Sequence, residues 1–370
     1  MNSLRQLLSA FGNILQTHLF PAVEQELGRL TEQHRALVKA LALLNMDRLV
    51  GACSRRGRPP HSRANILRAF VAKAIFDIPD TRALLGRLHS DSALRRLCGW
   101  DSADKLPGET VFSRAFAAFA SSELPQRVHT ALIERAYAGA LVGHISRDAT
   151  AIAAREKGEK KPKTRRRRAS RGKDRKPEEM TRLERQSLPQ TTLEQMLAEL
   201  PRACDKGCKN DSKGLPHYWI GYKLHMDVGD GQIPISCVLT SASMHDSQAA
   251  IPLARMSADR VRSLYDLMDS AYDCKHIRQF SQRLEHVPII EPQKRGGNKP
   301  VLAPHQRARF AERTTVERVY SRLKDEFGGR FLRVRGCAKA MAHLMFGILA
   351  LTADQLLRLS EPLNAPASSA

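Results

Sequence analysis

Between residues 30 and 137 the apolar positions recur every three or four residues, the spacing of helices that bury one side. Leu30–Leu49, Asn65–Phe76, Arg82–Leu97 and Val111–Tyr137 each follow it. GRPPHS from Gly57, IPD at Pro79 and LPGET at Pro107 punctuate them. The pattern changes at Leu141. LVGHISRDATAI reads as a strand that carries Asp148 beyond its middle. HYWIGYKLHMDV and IPISCVLTSA then form a hairpin, with Asp230-Gly231 supplying the turn chemistry. A helix over Ser247–Ser257, a strand over Ser263–Ser270 with Asp269 near its end, a helix over Cys274–Leu284 and the strand HVPIIEP follow. A basic, glycine-rich loop, Gln293–Pro300, leads into the helix FAERTTVERVYSRLKD (Phe310–Asp325). Ala338–Leu359 reads as a packing helix, followed by a polar tail. This order predicts an α/β fold, a mixed sheet with helices packed on it. The expected domains are a helical one over 1–140, an α/β one over 141–335 with an insert at 153–215, and a C-terminal helix and tail over 336–370.

Charge changes this picture. The 370 residues include 60 Lys and Arg against 38 Asp and Glu, a net charge of +22. Such an excess points to a polyanionic partner, nucleic acid before a membrane surface. No apolar run is expected to reach the ~18 residues of a membrane span. The first twenty residues are amphipathic and lack a signal-peptide core, so a cytoplasmic, nucleoid-associated protein is expected. From Arg155 to Arg185 there are 15 Lys and Arg against 6 Asp and Glu, including Arg165, Arg166, Arg167 and Arg168 in a row. That segment lacks the large apolar residues a core needs and reads as a linker or an arm that orders on nucleic acid. The basic string Ser54–Arg63 inclines the helical domain toward DNA binding, with a plain helical bundle as the other reading. The seven cysteines are scattered and suggest no disulfide framework. Cys204 and Cys208, near His217, lack the second pair that would make a convincing zinc site.

Which residues could carry chemistry? At roughly 100° per residue, Phe310, Arg313, Glu317 and Lys324 form one narrow stripe on a helix, while Val316, Val319, Leu323 and Phe327 face a core. A salt-bridged surface and a metal ligand flanked by phosphate clamps both fit that stripe. Asp148, Asp269 and Glu317 sit on three separate elements, as ligands of a two-metal site do. Asp227, Asp246, Asp266 and Asp273 compete. Asp266 should point to the strand face opposite Asp269, and Asp227 and Asp230 read as turn residues. Trp219, beside Tyr218, could stack on an unpaired base, or could pack on the core. His225 shares a strand face with Lys223 and reads as structural before catalytic. Lys294, Arg295 and Lys299 could touch a DNA backbone.

Together these segments resemble the DDE transposases of bacterial insertion sequences, the group with a Y-x2-R-x3-E-x6-K motif. This chain has F-x2-R-x3-E-x6-K, with Arg313, Glu317 and Lys324 in register and Phe310 in the tyrosine position. DSAYD (Asp269–Asp273) and SRDATAI resemble the segments around the two aspartates, and the resemblance spans roughly residues 145–349. It implies an RNase H-like catalytic domain after an all-α DNA-binding domain. It also implies two Mg²⁺ or Mn²⁺ ions held by Asp148, Asp269 and Glu317, with Arg313 and Lys324 on DNA at the element's ends. Cleavage at terminal repeats, transfer of a 3′-hydroxyl to target DNA and a homodimer on double-stranded DNA are the implied activity and assembly. Phe310 lacks the hydroxyl a tyrosine would offer. A catalytically inactive DNA-binding protein and a metal-dependent nuclease without strand transfer are the competing readings.

Overall fold

The structure is a computed structural model that describes residues 10, 14–50, 61–159, 180–210, 214–293 and 300–360. The N-terminal third is helical, and its breaks have local causes. Asp91 accepts a hydrogen bond from the Leu94 amide and starts a new helix, which divides the expected Arg82–Leu97 helix into Thr81–Ser90 and Ser92–Leu97. Pro125 begins a helix over Leu124–Tyr137, so Val111–Tyr137 is likewise two helices, the first over Glu109–Ser121. Leu67, Phe70, Leu84, Phe112 and Leu132 are buried between these helices.

A single sheet follows. Strand β1 (Leu141–Ala153) is central. On one side it runs antiparallel to β3 (Pro216–Gly229), and on the other parallel to β5 (Arg262–Met268), which pairs in parallel with β6 (Val287–Ile290). β3 is long enough to take two partners along its far edge. Its first residues pair with β2 (Asp205–Asn210) and its later ones with β4 (Ile233–Ser241). β3 and β4 are joined over Asp230–Gln232, with positive φ at Gly231 and Gln232. This mixed sheet flanked by helices is the RNase H-like architecture expected from the sequence. β2 was not expected. DKGCKN has neither alternation nor β-branched residues, and its strand form comes from pairing with Pro216–Gly221.

The expectation that no segment is apolar enough to span a membrane needs correcting. Cys337–Leu359 is long and apolar enough by length and composition, but most of it is buried within the protein. The C-terminal helix (Cys337–Ser360) packs on four N-terminal helices and on β4. Phe346 stacks on Phe70 with ring centroids 5.4 Å apart. One buried cluster therefore runs from the N-terminal helices into the sheet. At Gly347 a Cβ would come within 2.6 Å of the Phe327 carbonyl, so only glycine lets this helix lie so close.

The far face of the sheet carries a buried ion pair. Arg147 donates from Nε and Nη2 to the two oxygens of Asp227, each at 2.7 Å, and both side chains are fully buried. Ser257 Oγ donates to the same carboxylate at 2.7 Å. Asp227 is thus an interior strand residue, not the turn residue its place near the hairpin suggested. Burial works against the Arg147 charge, but Asp227 and Asp266 outweigh it and hold the guanidinium proton above the ordinary arginine range. Breaking such a pair leaves a buried charge unpaired, at about 3–5 kcal/mol. Arg147→Ala should therefore lower the urea midpoint by that much stability, while Arg147→Met combined with Asp227→Leu should recover most of it.

Candidate active site

Successive strand residues face opposite sides of a sheet. With Arg147 committed to one face, Asp148 is turned to the other, beneath the helix Thr314–Asp325. Val316, Val319 and Leu323 of that helix are fully buried, as their spacing predicted. Tyr320 fixes the helix to the sheet, its hydroxyl donating to the carbonyls of Asp148 at 2.7 Å and Leu224 at 3.1 Å.

The β1–β5 register brings the second acid in. Arg147 lies opposite Met268, so the next step places Asp148 beside Asp269, just past the end of β5. Asp269 caps the short turn Ser270–Tyr272, accepting from the Ala271 amide at 2.9 Å. Asp148 accepts from its neighbour's amide, Ala149, at 2.7 Å. Burial pushes the Asp148 carboxyl up to about 6. The Ala149 N–H pulls it down, the Asp269 charge raises it, and Lys209 and Arg313 draw it back. Asp269 is also raised, chiefly by burial. Two desolvated acids side by side are a poorly compensated negative charge.

The other aspartates differ in having close cations. Asp227 has Arg147 at 2.7 Å, Asp246 has Lys223 at 2.8 Å and Asp273 has Arg278 at 2.8 Å, while Asp266 has the imidazole of His286 at 3.3 Å. Asp266 also reaches Arg147 electrostatically, consistent with its expected place on the face away from Asp269. Arg313, at 3.9 Å, is the nearest cation to Asp148 among the described residues.

Glu317 reaches this pair through Arg313, which donates from Nη2 to Glu317 Oε1 at 2.7 Å. The glutamate side chain is 52% exposed. Among the described residues no three His, Cys, Asp or Glu side chains stand close enough to hold a metal. The expected stripe is also not one α-helix. Phe310 ends the helix Pro304–Phe310, and Ala311–Arg313 tighten into a 3₁₀ turn before Thr314. The Arg313 guanidinium still lies 5.7 Å from the centre of the Phe310 ring. Lys324 turns onto β1, donating to Thr150 Oγ1 at 2.6 Å, on the same strand face as Asp148.

Trp219 gives no stacking surface. Its side chain is 8% exposed and covers Gly207, where a Cβ would come within 2.4 Å of the indole. Its Nε1 donates to the Tyr222 carbonyl at 3.0 Å. The exposed aromatic of the pair is Tyr218, at 54%, with Lys206 Nζ 4.1 Å from its ring centre. His225 is buried against Thr240 at 2.8 Å, and burial lowers it to about 4, so it is a neutral structural residue near pH 7. Lys294, Arg295, Lys299 and Arg165 to Arg168 lie outside the described residues. Sequence reasoning missed Lys209, because it missed the strand that carries it. It also missed Tyr320, whose only sequence signal is its place one turn after Glu317.

Two family models match this chain. One, described as a transposase DDE domain, covers residues 144–353, more than half of the 370. The other, described as a transposase domain, covers residues 25–118. Comparison with curated proteins and with solved structures returned no match. The first match covers β1, the acid pair and the glutamate helix, and with it the chain belongs to the DDE transposase family.

Proposed function

We propose that this transposase binds the ends of its own insertion sequence, cleaves them with divalent metal and transfers the freed 3′-hydroxyl to target DNA. The observation that carries this reading is the apposition of two desolvated acids, Asp148 and Asp269, whose nearest cation among the described residues, Arg313, stands 3.9 Å from Asp148 and is bonded to Glu317. Hard divalent cations take oxygen ligands, and a pair of carboxylates with raised proton affinity fits them. Asp148 and Asp269 would hold Mg²⁺ or Mn²⁺, with Glu317 completing the set. Two such ions activate an attacking oxygen and stabilise a leaving one. Arg313 is the pivot, since it now ties up Glu317. A DNA phosphate would compete for that guanidinium and free the glutamate.

Lys324 is on the Asp148 face and would take a neighbouring phosphate. Phe310 would keep the Arg313 guanidinium in place by packing. Arg165, Arg166, Arg167, Arg168, Lys294, Arg295 and Lys299 would add backbone contacts. An element has two ends, so a homodimer on DNA is the assembly proposed, acting in the cytoplasm on the nucleoid.

Labelled DNA carrying the terminal repeats of the protein's own locus should be nicked with Mg²⁺ and left intact with EDTA. Asp148→Asn and Glu317→Gln should each lose cleavage by at least roughly 100-fold, the upper range for even an outer-shell change at a metal site, while still binding the repeats. Cleavage retained by either variant would sink the assignment. Cleavage without joining to a target would favour a nuclease, and binding without cleavage an inactive relative. Lys324→Ala should weaken binding and flatten its salt dependence by about one phosphate contact.

The acid pair also predicts a pH effect. Asp148 has its carboxyl raised from 3.8 to about 6 on folding. Its protonated form therefore favours the folded state, a contribution present below pH 4 and lost as pH rises through 6. Asp148→Asn should be more stable than the parent by about 3 kcal/mol at pH 8 and no more stable at pH 4. Mg²⁺ should raise the parent's thermal midpoint more at pH 8 than at pH 5.

A further inference from the structure

A cleft of about 670 Å³ lies where the N-terminal helices meet the sheet and the C-terminal helix. Its cations come from both family-model segments. Lys73 and Arg82 belong to the first, and Arg155, Arg333, Arg335 and Lys339 to the second. Among the described residues only two carboxylates line it, Asp80 and Glu109. They sit 3.4 Å from Arg333 and 3.6 Å from Arg82. Among the described residues no carboxylate lies within salt-bridge distance of Lys73, Arg155, Arg335 or Lys339. Lys73 is half-buried at the cleft, and burial lowers its ammonium to about 8. An anion arriving there would draw its proton affinity back up.

The lip of the cleft is the loop Gly328–Gly336, GGRFLRVRG, after the glutamate helix. Leu332 is buried and anchors it, while Gly336 N donates to Glu156 Oε2 at 3.1 Å. Around that anchor Arg330, Arg333 and Arg335 are exposed, and Phe331 is 72% exposed between them. Arg330 is near enough to Lys324 to lower its proton affinity. Basic side chains therefore continue from Arg313, paired with Glu317 at the acid pair, through Lys324 and Arg330, which pairs with Asp325, to the cleft. Arg155 follows Asp148 by seven residues along and just beyond β1. At ~3.3 Å per residue that is at most roughly 23 Å, or about seven base pairs of duplex at 3.4 Å each.

We propose that this cleft is a second DNA contact, gripping the phosphodiester backbone about seven base pairs from the acid pair, with Phe331 against the sugar–base surface between the gripped phosphates. The proposal rests on the DNA-cleaving function above and adds where the duplex runs. An extended polyanion fits better than a small one, because the cations form a row that leaves the cleft toward the acids. An exposed phenylalanine among arginines suits a groove contact, as apolar wedges do in DNA-bending proteins.

The test is binding of fluorescein-labelled duplex, read by anisotropy between 50 and 200 mM KCl. On a 30-base-pair duplex of the terminal repeat, Arg335→Ala with Lys339→Ala should lower the salt slope by about 1.8, at ~0.9 per phosphate contact. Phe331→Ala should weaken binding severalfold without changing the slope. On a duplex extending only about three base pairs to each side of the cleavage point, the double variant and the parent should show the same slope. A double variant that keeps the full slope on the long duplex, while the parent binds it tightly, would overturn the cleft contact and leave the transposase reading intact. A parent protein that binds neither duplex would overturn both.

Discussion

The buried pair of Arg147 and Asp227 decides where the chemistry can sit. Two charges in a dry interior tolerate little displacement, because each oxygen and each donor lost leaves a desolvated charge without its partner. The pair fixes β1 against β3, and Ser257 extends it to the helix behind the sheet. Once Arg147 is held on that face, the pleat turns Asp148 to the other, and one step of the β1–β5 register delivers Asp269 beside it. A neutral pair at Arg147 and Asp227 could fill the same space, but it would not resist a slip of one residue so strongly. Such a slip would exchange the two faces and send Asp148 into the polar interior.

The opposite face works on a different principle. There the glutamate helix is held by apolar burial and by one hydroxyl, Tyr320, that ties it to the main chain at Asp148 itself. The attachment leaves the acid side chains uncrossed by close cations, whereas nearby aspartates are each paired. Arg313 stands between Glu317 and Asp148, nearer to the glutamate, and among the described residues it is the one cation within ion-pair distance of both. The 3₁₀ turn at Ala311–Arg313 serves that placement. It tightens the chain ahead of Thr314, while Phe310 stays under the guanidinium.

Much of this was legible in the sequence where a local pattern had a local cause. The apolar segments of β1, β3 and β4 read as strands, Asp230-Gly231 marked the turn, and the apolar spacing of Val316, Val319 and Leu323 identified the buried side of their helix. The failures came where the cause lay far along the chain. DKGCKN becomes a strand because β3 offers it an edge, and Asp227 is interior because Arg147, eighty residues earlier, needs a partner. Trp219 faces inward because Gly207 leaves room for an indole, which no pattern around the tryptophan reveals. The apolar Cys337–Leu359 stretch was taken too lightly as a run, because its hydrophobicity serves two halves of the core at once.

That shared core has a consequence for how DNA would be read on the proposed function. Phe346 on Phe70 and Gly347 on Phe327 join the C-terminal helix both to the N-terminal helices and to the end of the glutamate helix. A base-reading helical domain on a flexible tether could sample many positions relative to the cutting site. Here the two are joined by buried apolar contacts, and moving one relative to the other would expose the aromatic cluster around Phe70 to water. The separation between the acids and any phosphate contact in the N-terminal helices is therefore set by packing. On the proposed function, a protein with such fixed spacing would measure distance along the duplex, and the position of the cut relative to the bound sequence would follow from the fold.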